Sequence, residues 1–224
     1  EIIDNKTNKG LGYCRNLGIK LAKNNLVASI DSDVVPEKDW LKNLYTSLKK
    51  NNSVYCGGKL VEKNTKNNIQ NKWRSVHLIQ HWGDKQLHNP PFIYGCNNLL
   101  DKDKVYKKIE YDENLKTNGE DVDFSKKLSI NNFSTLYDHN AICYHIQNDD
   151  ITSLSRRYWR YRTFGYKIKN FSYLKFTKLS IKEIKMLFNR IIKDLKCKKY
   201  ELLILEIIIF FKFIVYEFKE TIKR

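Results

Sequence analysis

The sequence lacks the cysteine patterns that define zinc modules. Its five cysteines are far apart, and they include no Cys-x-x-Cys pair and no Cys/His spacing of the zinc-finger type. An odd number of scattered cysteines favours reduced, mostly buried thiols in a cytosolic protein. The sequence also has no internal repeat, so it is not predicted to be a repeat protein.

The C-terminal part lacks an uninterrupted apolar run of membrane-spanning length. A spanning helix needs about 20 predominantly apolar residues, whereas Glu206, Lys212 and Glu217 interrupt the apolar stretch 201–218. The preceding segment interleaves lysines with apolar residues on one helical face, namely Ile181, Ile184, Leu187, Phe188, Ile191, Ile192 and Leu195. This pattern fits either a helical hairpin packed on the domain or attachment to an anionic membrane, and both interpretations stay open.

The composition is that of a folded and strongly basic protein. Its 224 residues are enough for one domain with a core and an appendage, and contents of 42% hydrophobic and 13% aromatic residues argue against disorder. The net charge of +16, mostly from scattered lysines, favours anionic partners: nucleotides, nucleic acid or anionic lipid. The chain starts at Glu1 without methionine or a signal peptide, as if in mid-fold, so we expect an upstream segment.

Apolar runs and helical patterns alternate along most of the chain. A glycine turn at Gly10 opens a short helix, and the apolar run Leu26–Ile30 then predicts a buried strand. Further strands are predicted at 54–61, 92–100 and 134–145, and helices at 39–48, 101–109, from Glu120 onward and at 152–166. The polar stretch 62–91 predicts a helix-and-loop insertion over the site. This order predicts an α/β fold with a parallel sheet.

Two aspartates, Asp31 and Asp33, follow the first predicted strand. Carboxylates at the end of a buried strand are costly unless they meet water, a cation or a ligand. Side chains alternate along a strand, so the two can face the same way if the extended geometry continues. Their oxygens suit Mg²⁺ or Mn²⁺, which often bridge carboxylates to phosphates. A strand-end turn with solvated aspartates is the alternative that so short a pattern leaves open.

Four motifs follow one another in an informative order. They are Gly10-Leu11-Gly12-Tyr13-Cys14-Arg15-Asn16, Ile30-Asp31-Ser32-Asp33, Gly119-Glu120-Asp121-Val122-Asp123-Phe124, and Tyr144-His145 followed by Arg156-Arg157-Tyr158-Trp159-Arg160. Over roughly residues 1–166 the chain resembles the family 2 glycosyltransferases. The resemblance implies an α/β GT-A fold, which is Rossmann-like and binds nucleotide sugars. It further implies a central, mostly parallel sheet, a first strand that is missing here, and C-terminal helices.

The resemblance implies roles on the donor side. Asp33 and His145 would be ligands of Mg²⁺ or Mn²⁺, and Asp31 would contact the ribose or the sugar of the donor. The remaining donor-binding residues would be Gly10, Arg15, Asn16, Arg157 and Arg160. Arginine suits a diphosphate because its fork presents several donors and stays charged.

On the acceptor side, the resemblance assigns Asp121 as the general base and Glu120 as the residue that orients the acceptor. A carboxylate within hydrogen-bond reach can deprotonate an attacking hydroxyl. The alternative is that both acids cap a helix N-terminus, which is compatible with the catalytic role. Trp159 is predicted to stack on the acceptor sugar or to pack in the core.

These assignments predict an inverting, metal-dependent hexosyltransferase that moves one sugar from a nucleotide donor to a lipid-linked or cell-surface glycan acceptor. The segment Arg157-Tyr158-Trp159 differs from the Gln-x-x-Arg-Trp form of processive synthases, which argues against a processive enzyme. We predict a transferase domain at 1–170 and a helical segment at 171–224. The expected location is cytoplasmic, peripheral at the inner face of the cell membrane, in polysaccharide biosynthesis.

Two other interpretations remain open at this stage. The basic charge and the segment 156–162, in which aromatic residues separate the arginines, fit a nucleic-acid-binding module. The acidic motifs around Asp31 and Asp121 argue against it, since they would repel phosphate unless a metal intervenes, so no nucleic-acid partner is expected. The missing first strand also leaves open an inactive, truncated scaffold.

Overall fold

The computed structural model describes residues 2–63, 66–115, 118–163 and 173–222. Its helices are α1 (Leu11–Leu21), α2 (Trp40–Lys50), α3 (Ile69–His77), α4 (Lys102–Val105), α5 (Glu120–Ile130), α6 (Ile151–Thr163), α7 (Tyr173–Lys196) and α8 (Leu203–Ile222), with a 3-10 turn at Tyr200–Leu202. Its strands are β1 (Leu26–Ile30), β2 (Val34–Pro36), β3 (Tyr55–Glu62), β4 (Leu87–His88), β5 (Asn97–Asp101) and β6 (Thr135–His145). The chain forms two compact units, residues 1–63 with 80–147 and residues 64–79 with 148–224.

The first unit is built on one sheet with the strand order β1-β5-β3-β6-β2, and β4 pairs with β6. Among the described strands only β3 and β6 pair in parallel, while the other pairs are antiparallel. The prediction of a mostly parallel sheet is therefore wrong in this detail. The reason is that β5 and β2 run against β1, β3 and β6, and an apolar run in the sequence carries no information on strand direction.

Two apolar layers enclose this sheet. One contains Trp40, Leu44 and Leu48 of α2, which are buried because residues spaced by four lie on one helical face. The other contains Phe124 and Leu128 of α5 in the same spacing. Both layers lie on residues of β3 and β5, which are largely buried strands. Burying both faces of these strands holds their C-terminal ends in fixed positions.

A bulge sets the register between β3 and β6. Gly58 pairs with Asp138, but Lys59 pairs with Ile142, so residues 139–141 lie outside the ladder. The buried side chain of Asn97 bonds the backbone there, because its Nδ2 donates to the Lys59 carbonyl at 3.1 Å. Trp40 Nε1 donates to Asn97 Oδ1 at 2.6 Å and completes this arrangement. Beyond the bulge, Glu62 comes to lie beside His145.

Several predicted elements are shorter in the structure than in the sequence pattern. The strand predicted at 92–100 begins only at Asn97, because Asn98 Nδ2 donates back to the Gly95 carbonyl at 2.9 Å and closes a turn. The helix predicted at 101–109 is reduced to Lys102–Val105. The predicted boundary between 170 and 171 lies outside the described residues and stays a prediction.

The second unit is helical and buries charged residues inside a helical hairpin. Its apolar centre includes Trp73, Leu154, Tyr158, Ile209 and Phe213. The inward-facing positions of α7 and α8 also carry charge, at Glu183, Arg190, Asp194, Glu206 and Glu217. No helix within the described part of the chain is long and apolar enough to cross a membrane.

Candidate active site

The two aspartates after β1 lie in a turn rather than in a continued strand. Val34 N donates to the Asp31 carbonyl at 3.1 Å, which closes the turn before β2 begins. The extended geometry therefore ends at Ile30, and the two carboxylates have different partners. Asp31 Oδ1 lies 3.9 Å from Arg15 Nη2, whereas Asp33 Oδ2 lies 3.2 Å from His145 Nε2.

Strand register brings His145 between two acidic residues. His145 ends β6, where it pairs with Val34 on one side and with Glu62 on the other. Its Nδ1 lies 2.8 Å from Glu62 Oε1, and its Nε2 lies 3.2 Å from Asp33 Oδ2. When Nδ1 carries the proton it donates to Glu62, which leaves Nε2 as the acceptor that faces Asp33.

The donor set of Asp33 and His145 fits a divalent ion of the Mn²⁺ or Mg²⁺ kind. It offers one carboxylate oxygen and one imidazole nitrogen, and the Asp33 side chain is 35% exposed, so water and phosphate oxygens can reach it. Sequence reasoning missed Glu62, which orients the ring. The available signal was a carboxylate directly after the apolar end of a strand, the same pattern that drew attention to Asp31.

A second group centres on Arg15 of α1. Arg15 Nη1 donates to Glu120 Oε1 in a buried ion pair, and the guanidinium carbon lies 5.6 Å from the centre of the Tyr111 ring. A Cβ added at Gly95 would overlap the Arg15 guanidinium, so a larger residue there would require the guanidinium to move. Arg15 therefore joins Glu120 to Asp31, and sequence reasoning missed the requirement for Gly95.

Asp121 is held at the start of α5. Its Oδ2 accepts from Gly95 N at 3.1 Å, and its Oδ1 accepts from Val122 N at 2.8 Å. The preceding Gly119 has φ 92°, a left-handed conformation that glycine adopts without strain. The side chain is partly exposed, so a rigidly held carboxylate remains accessible to a ligand.

Three carboxyl groups of this site have raised pKa values. Burial is the main cause for Asp31, Glu120 and Asp121, and the positive charge of Arg15 opposes it in each case. Asp31 also interacts electrostatically with Asp33 and His145, so it connects the two groups of the site. Oε2 of Glu120 is buried and has no hydrogen-bond partner among the described residues.

The other predicted donor residues of the first unit have structural contacts. Asn16 holds the loop after α4, because its Nδ2 donates to the Tyr111 carbonyl at 3.0 Å and its Oδ1 accepts from Tyr111 N at 2.9 Å. Gly10 precedes α1 with φ 90°, and its N–H donates to Asn8 Oδ1. Contacts of both residues with a donor stay predictions.

The predicted residues of α6 lie in the second unit. Arg157 Nε is 3.3 Å from Asp149 Oδ2, and Trp159 Nε1 donates to Glu217 Oε1 at 2.6 Å. Arg160 has a lowered pKa, caused first by burial and then by the positive charges of Arg157 and Arg156. Their roles toward the diphosphate and the acceptor stay predictions.

Comparisons with known proteins concern the family and the fold. Residues 1–108 match the family model described as Glycosyl transferase family 2. The fold is similar to a solved structure described as "Crystal structure of GalNAc-T7 with UDP, GalNAc and Mn2+", with a TM-score of 0.51 and 14% sequence identity. That match covers 65% of this chain and 32% of the other, so the chain spans about a third of the length of that relative. A search of curated proteins finds no match.

The family match and the structural similarity together support a family 2 glycosyltransferase-like protein with a GT-A fold. The predictions of the family and of the fold class are confirmed at this level, whereas sugar transfer by this chain stays a prediction. The family match includes Arg15, Asp31 and Asp33 but ends before the acceptor-side acids Glu120 and Asp121. The roles of single residues in this glycosyltransferase-like protein rest on geometry and remain to be tested.

Gly95→Ala is predicted to destabilise the site by displacing Arg15 from Glu120. The added methyl group overlaps the guanidinium, and overpacking of this kind costs about 1–3 kcal/mol. Denaturant unfolding measures the effect. Gly18→Ala is the matched control, because a Cβ there has open space within α1, and alanine should stabilise the helix by about 0.5–1 kcal/mol. Equal stability of the Gly95→Ala and parent proteins would contradict the packing argument.

Proposed function

We propose that this protein transfers one sugar from a nucleotide-sugar donor to a hydroxyl of a lipid-linked or cell-surface glycan acceptor, with inversion at the anomeric carbon. The observation that supports it best is the pairing of Asp33 and His145 next to the acids held by Arg15 and Gly95. One half of this arrangement suits a metal-bound diphosphate, and the other half suits a hydroxyl nucleophile.

On the donor side, Asp33 and His145 would hold the ion, and Glu62 keeps the His145 ring in place. A bound Mn²⁺ or Mg²⁺ would supply Lewis-acid stabilisation of the charge that develops on the diphosphate leaving group. The structural relative contains UDP, GalNAc and Mn2+, which supports this choice of donor class and ion. Asp31, fixed by Arg15, would accept hydrogen bonds from donor hydroxyls.

On the acceptor side, Asp121 would take the proton of the attacking hydroxyl. Hydrogen bonds from Gly95 N and Val122 N fix its carboxylate without covering it fully. Oε2 of Glu120, buried and unpaired among the described residues, offers an acceptor for a second hydroxyl of the glycan. These acids disfavour the nucleic-acid alternative, because they would repel a phosphate backbone that brings no metal.

Asp33→Asn is predicted to weaken Mn²⁺-dependent binding of a nucleoside diphosphate at least tenfold, and Glu62→Gln to weaken it about 10–100-fold through the orientation of His145. Calorimetry with UDP, GDP and CDP, each with and without Mn²⁺, is the measurement. Asp39→Asn is the control, since this exposed residue makes no side-chain cap at α2. Unchanged affinity in a folded Asp33→Asn variant would exclude Asp33 as a ligand. No binding by the parent chain would favour the inactive scaffold.

Asp121→Asn is predicted to lower kcat by about 10²–10⁴-fold with little change in donor affinity, because asparagine cannot accept the proton. Burial raises the pKa of Asp121 above the usual 3.8, so kcat/KM of the parent should fall as the pH drops through that raised value. The base is active only when deprotonated, and the variant should lack this acidic limb. A pH–rate series on both proteins measures it. Near-normal turnover of Asp121→Asn would leave only the capping role.

We further propose that the α7–α8 hairpin attaches the protein to an anionic membrane surface. The outward face of α8 consists of large apolar side chains at helical spacing, Ile204, Ile207, Ile208, Phe211, Val215, Phe218 and Ile222, all exposed. The charged residues of α8 at Glu206 and Glu217 face inward instead. Exposed lysines of α7 such as Lys182, Lys185 and Lys193 add attraction to anionic lipid.

The double variant Ile204→Asp/Phe211→Asp is predicted to lose co-flotation with vesicles that contain anionic phospholipid. Burial of each large apolar side chain contributes roughly 1.5–3 kcal/mol, so the loss of two should lower vesicle binding at least tenfold. Ile130→Asp is the matched control, because Ile130 is equally apolar and 68% exposed but lies in the first unit. Equal flotation of the parent and double variant, or none by the parent, would contradict membrane attachment through this face.

A further inference from the structure

We infer that the helical second unit contains a site for a divalent cation of the Zn²⁺ type, formed by His77 of α3, Asp194 of α7 and Glu206 of α8. One ligand atom from each residue lies within 4.8 Å of the other two. All three side chains are almost completely buried, with exposures of 2% for His77 and 0% for Asp194 and Glu206. The site lies outside the Asp33–His145 pair and does not depend on the proposed transfer reaction.

Two of the three spacings between ligand atoms are close to those around a tetrahedral ion. His77 Nε2 is 3.0 Å from Asp194 Oδ1 and 3.2 Å from Glu206 Oε1. Ligand atoms bound at about 2.0–2.1 Å to a tetrahedral Zn²⁺ are roughly 3.3 Å apart. Imidazole nitrogen and carboxylate oxygen are both ligand types that bind Zn²⁺. The two spacings at His77 Nε2 are therefore compatible with such an ion.

An unpaired oxygen points to a missing partner. Asp194 Oδ2 is buried and has no hydrogen-bond partner in the described part of the chain. The other oxygen of the same carboxylate contacts His77 Nε2, so the group faces the cluster. A buried carboxylate oxygen without a donor is costly. An ion at the cluster would remove this cost, and Oδ2 would be available as a further ligand.

Three cations lie near the cluster, since Arg190, Lys193 and Lys199 all act electrostatically on Asp194. Arg190 is shared, because its Nε donates to Glu206 Oε2 at 2.5 Å while its Nη1 lies 3.1 Å from Glu183 Oε1. Lys193 donates to the Val76 carbonyl at 3.0 Å. Among the described residues, Asp194 forms an ion-pair contact with His77 alone. The arginine that pairs with Glu206 also serves Glu183, and a divalent cation would add positive charge beside both carboxylates of the cluster.

Hydrogen-bond donors next to the cluster hold the Glu206 carboxylate in a fixed orientation, as donors around bound metals do. Trp73 Nε1 donates to Glu206 Oε1 at 2.6 Å, and Arg190 fixes the other oxygen of the same carboxylate. Hydrogen bonds of this kind hold carboxylate ligands in place and raise metal affinity. Because the three ligands come from three helices, the ion would tie α3, α7 and α8 together and stabilise the second unit.

The test uses the full chain carrying Asp33→Ala, so that an ion at the first-unit site is not counted. The protein is stripped with a chelator, desalted and incubated with Zn²⁺ or Co²⁺ alone. Bound metal is then measured by elemental analysis, and Tm is measured with and without the ion. We expect about one Zn²⁺ per chain and a Tm that rises with the Zn²⁺ concentration. A folded parent that retains no Zn²⁺ and shows no shift in Tm would overturn the proposal.

Two variants localise the ion. His77→Phe keeps an aromatic ring beside Trp73, whose ring centre lies 5.0 Å from that of His77, and Asp194→Asn is nearly isosteric. Each should weaken Zn²⁺ binding at least tenfold and abolish the rise in Tm. His88→Gln, at an exposed position of β4, is the control and should bind like the parent. Parent-like Zn²⁺ binding by both cluster variants would overturn the assignment, and if they fail to fold, the stoichiometry and Tm of the parent decide.

Discussion

The register of β6 is the constraint on which the site depends. This strand pairs in parallel with β3 and antiparallel with β2, so its last residue, His145, has neighbours on both sides. Because side chains alternate along a strand, a slip by one residue would turn His145 to the other face and away from Asp33 and Glu62. The bulge at Gly58 and Lys59, with Asn97 bonded to the freed backbone, fixes that register. The side-chain amide of Asn97 thus helps to set the register that places His145 next to Asp33.

Both units bury charge, and in each an arginine lies between two carboxylates. Arg15 joins Glu120 and Asp31 in the first unit, and Arg190 joins Glu183 and Glu206 in the second. A buried ion pair contributes little net stability, but losing one partner leaves an unpaired charge that costs about 3–5 kcal/mol. Such groups therefore fix side-chain positions more than they stabilise the fold. In the first unit this rigidity serves the acids that would meet the donor and the acceptor.

The arrangement of α7 and α8 differs from the usual distribution of polarity, since buried acids lie beside apolar core residues such as Ile209 and Phe213. Apolar side chains such as Phe188 and Phe211 face outward, while Glu183, Asp194 and Glu206 face the interior. The sequence predicted amphipathic helices correctly, since the periodicity is local. It did not reveal which face packs inward, because that depends on polar partners from distant segments, such as the indole N–H of Trp73 on Glu206. Because partners such as Trp73 hold the acids inside, the opposite apolar face of the helices points outward.

The sequence by itself indicated the family resemblance, the α/β class, the strand that leads to Asp31 and Asp33, and the helix start at Glu120 and Asp121. These features are local: an apolar run, a breaker and acids at a helix N-terminus identify themselves within a few residues. Only the tertiary structure decided that Asp33 faces His145, that Glu62 orients the ring, that Gly95 makes room for Arg15, and that most strand pairs are antiparallel. Each of these depends on contacts between residues far apart in the chain, and local periodicity carries no information on strand direction or on long-range pairing.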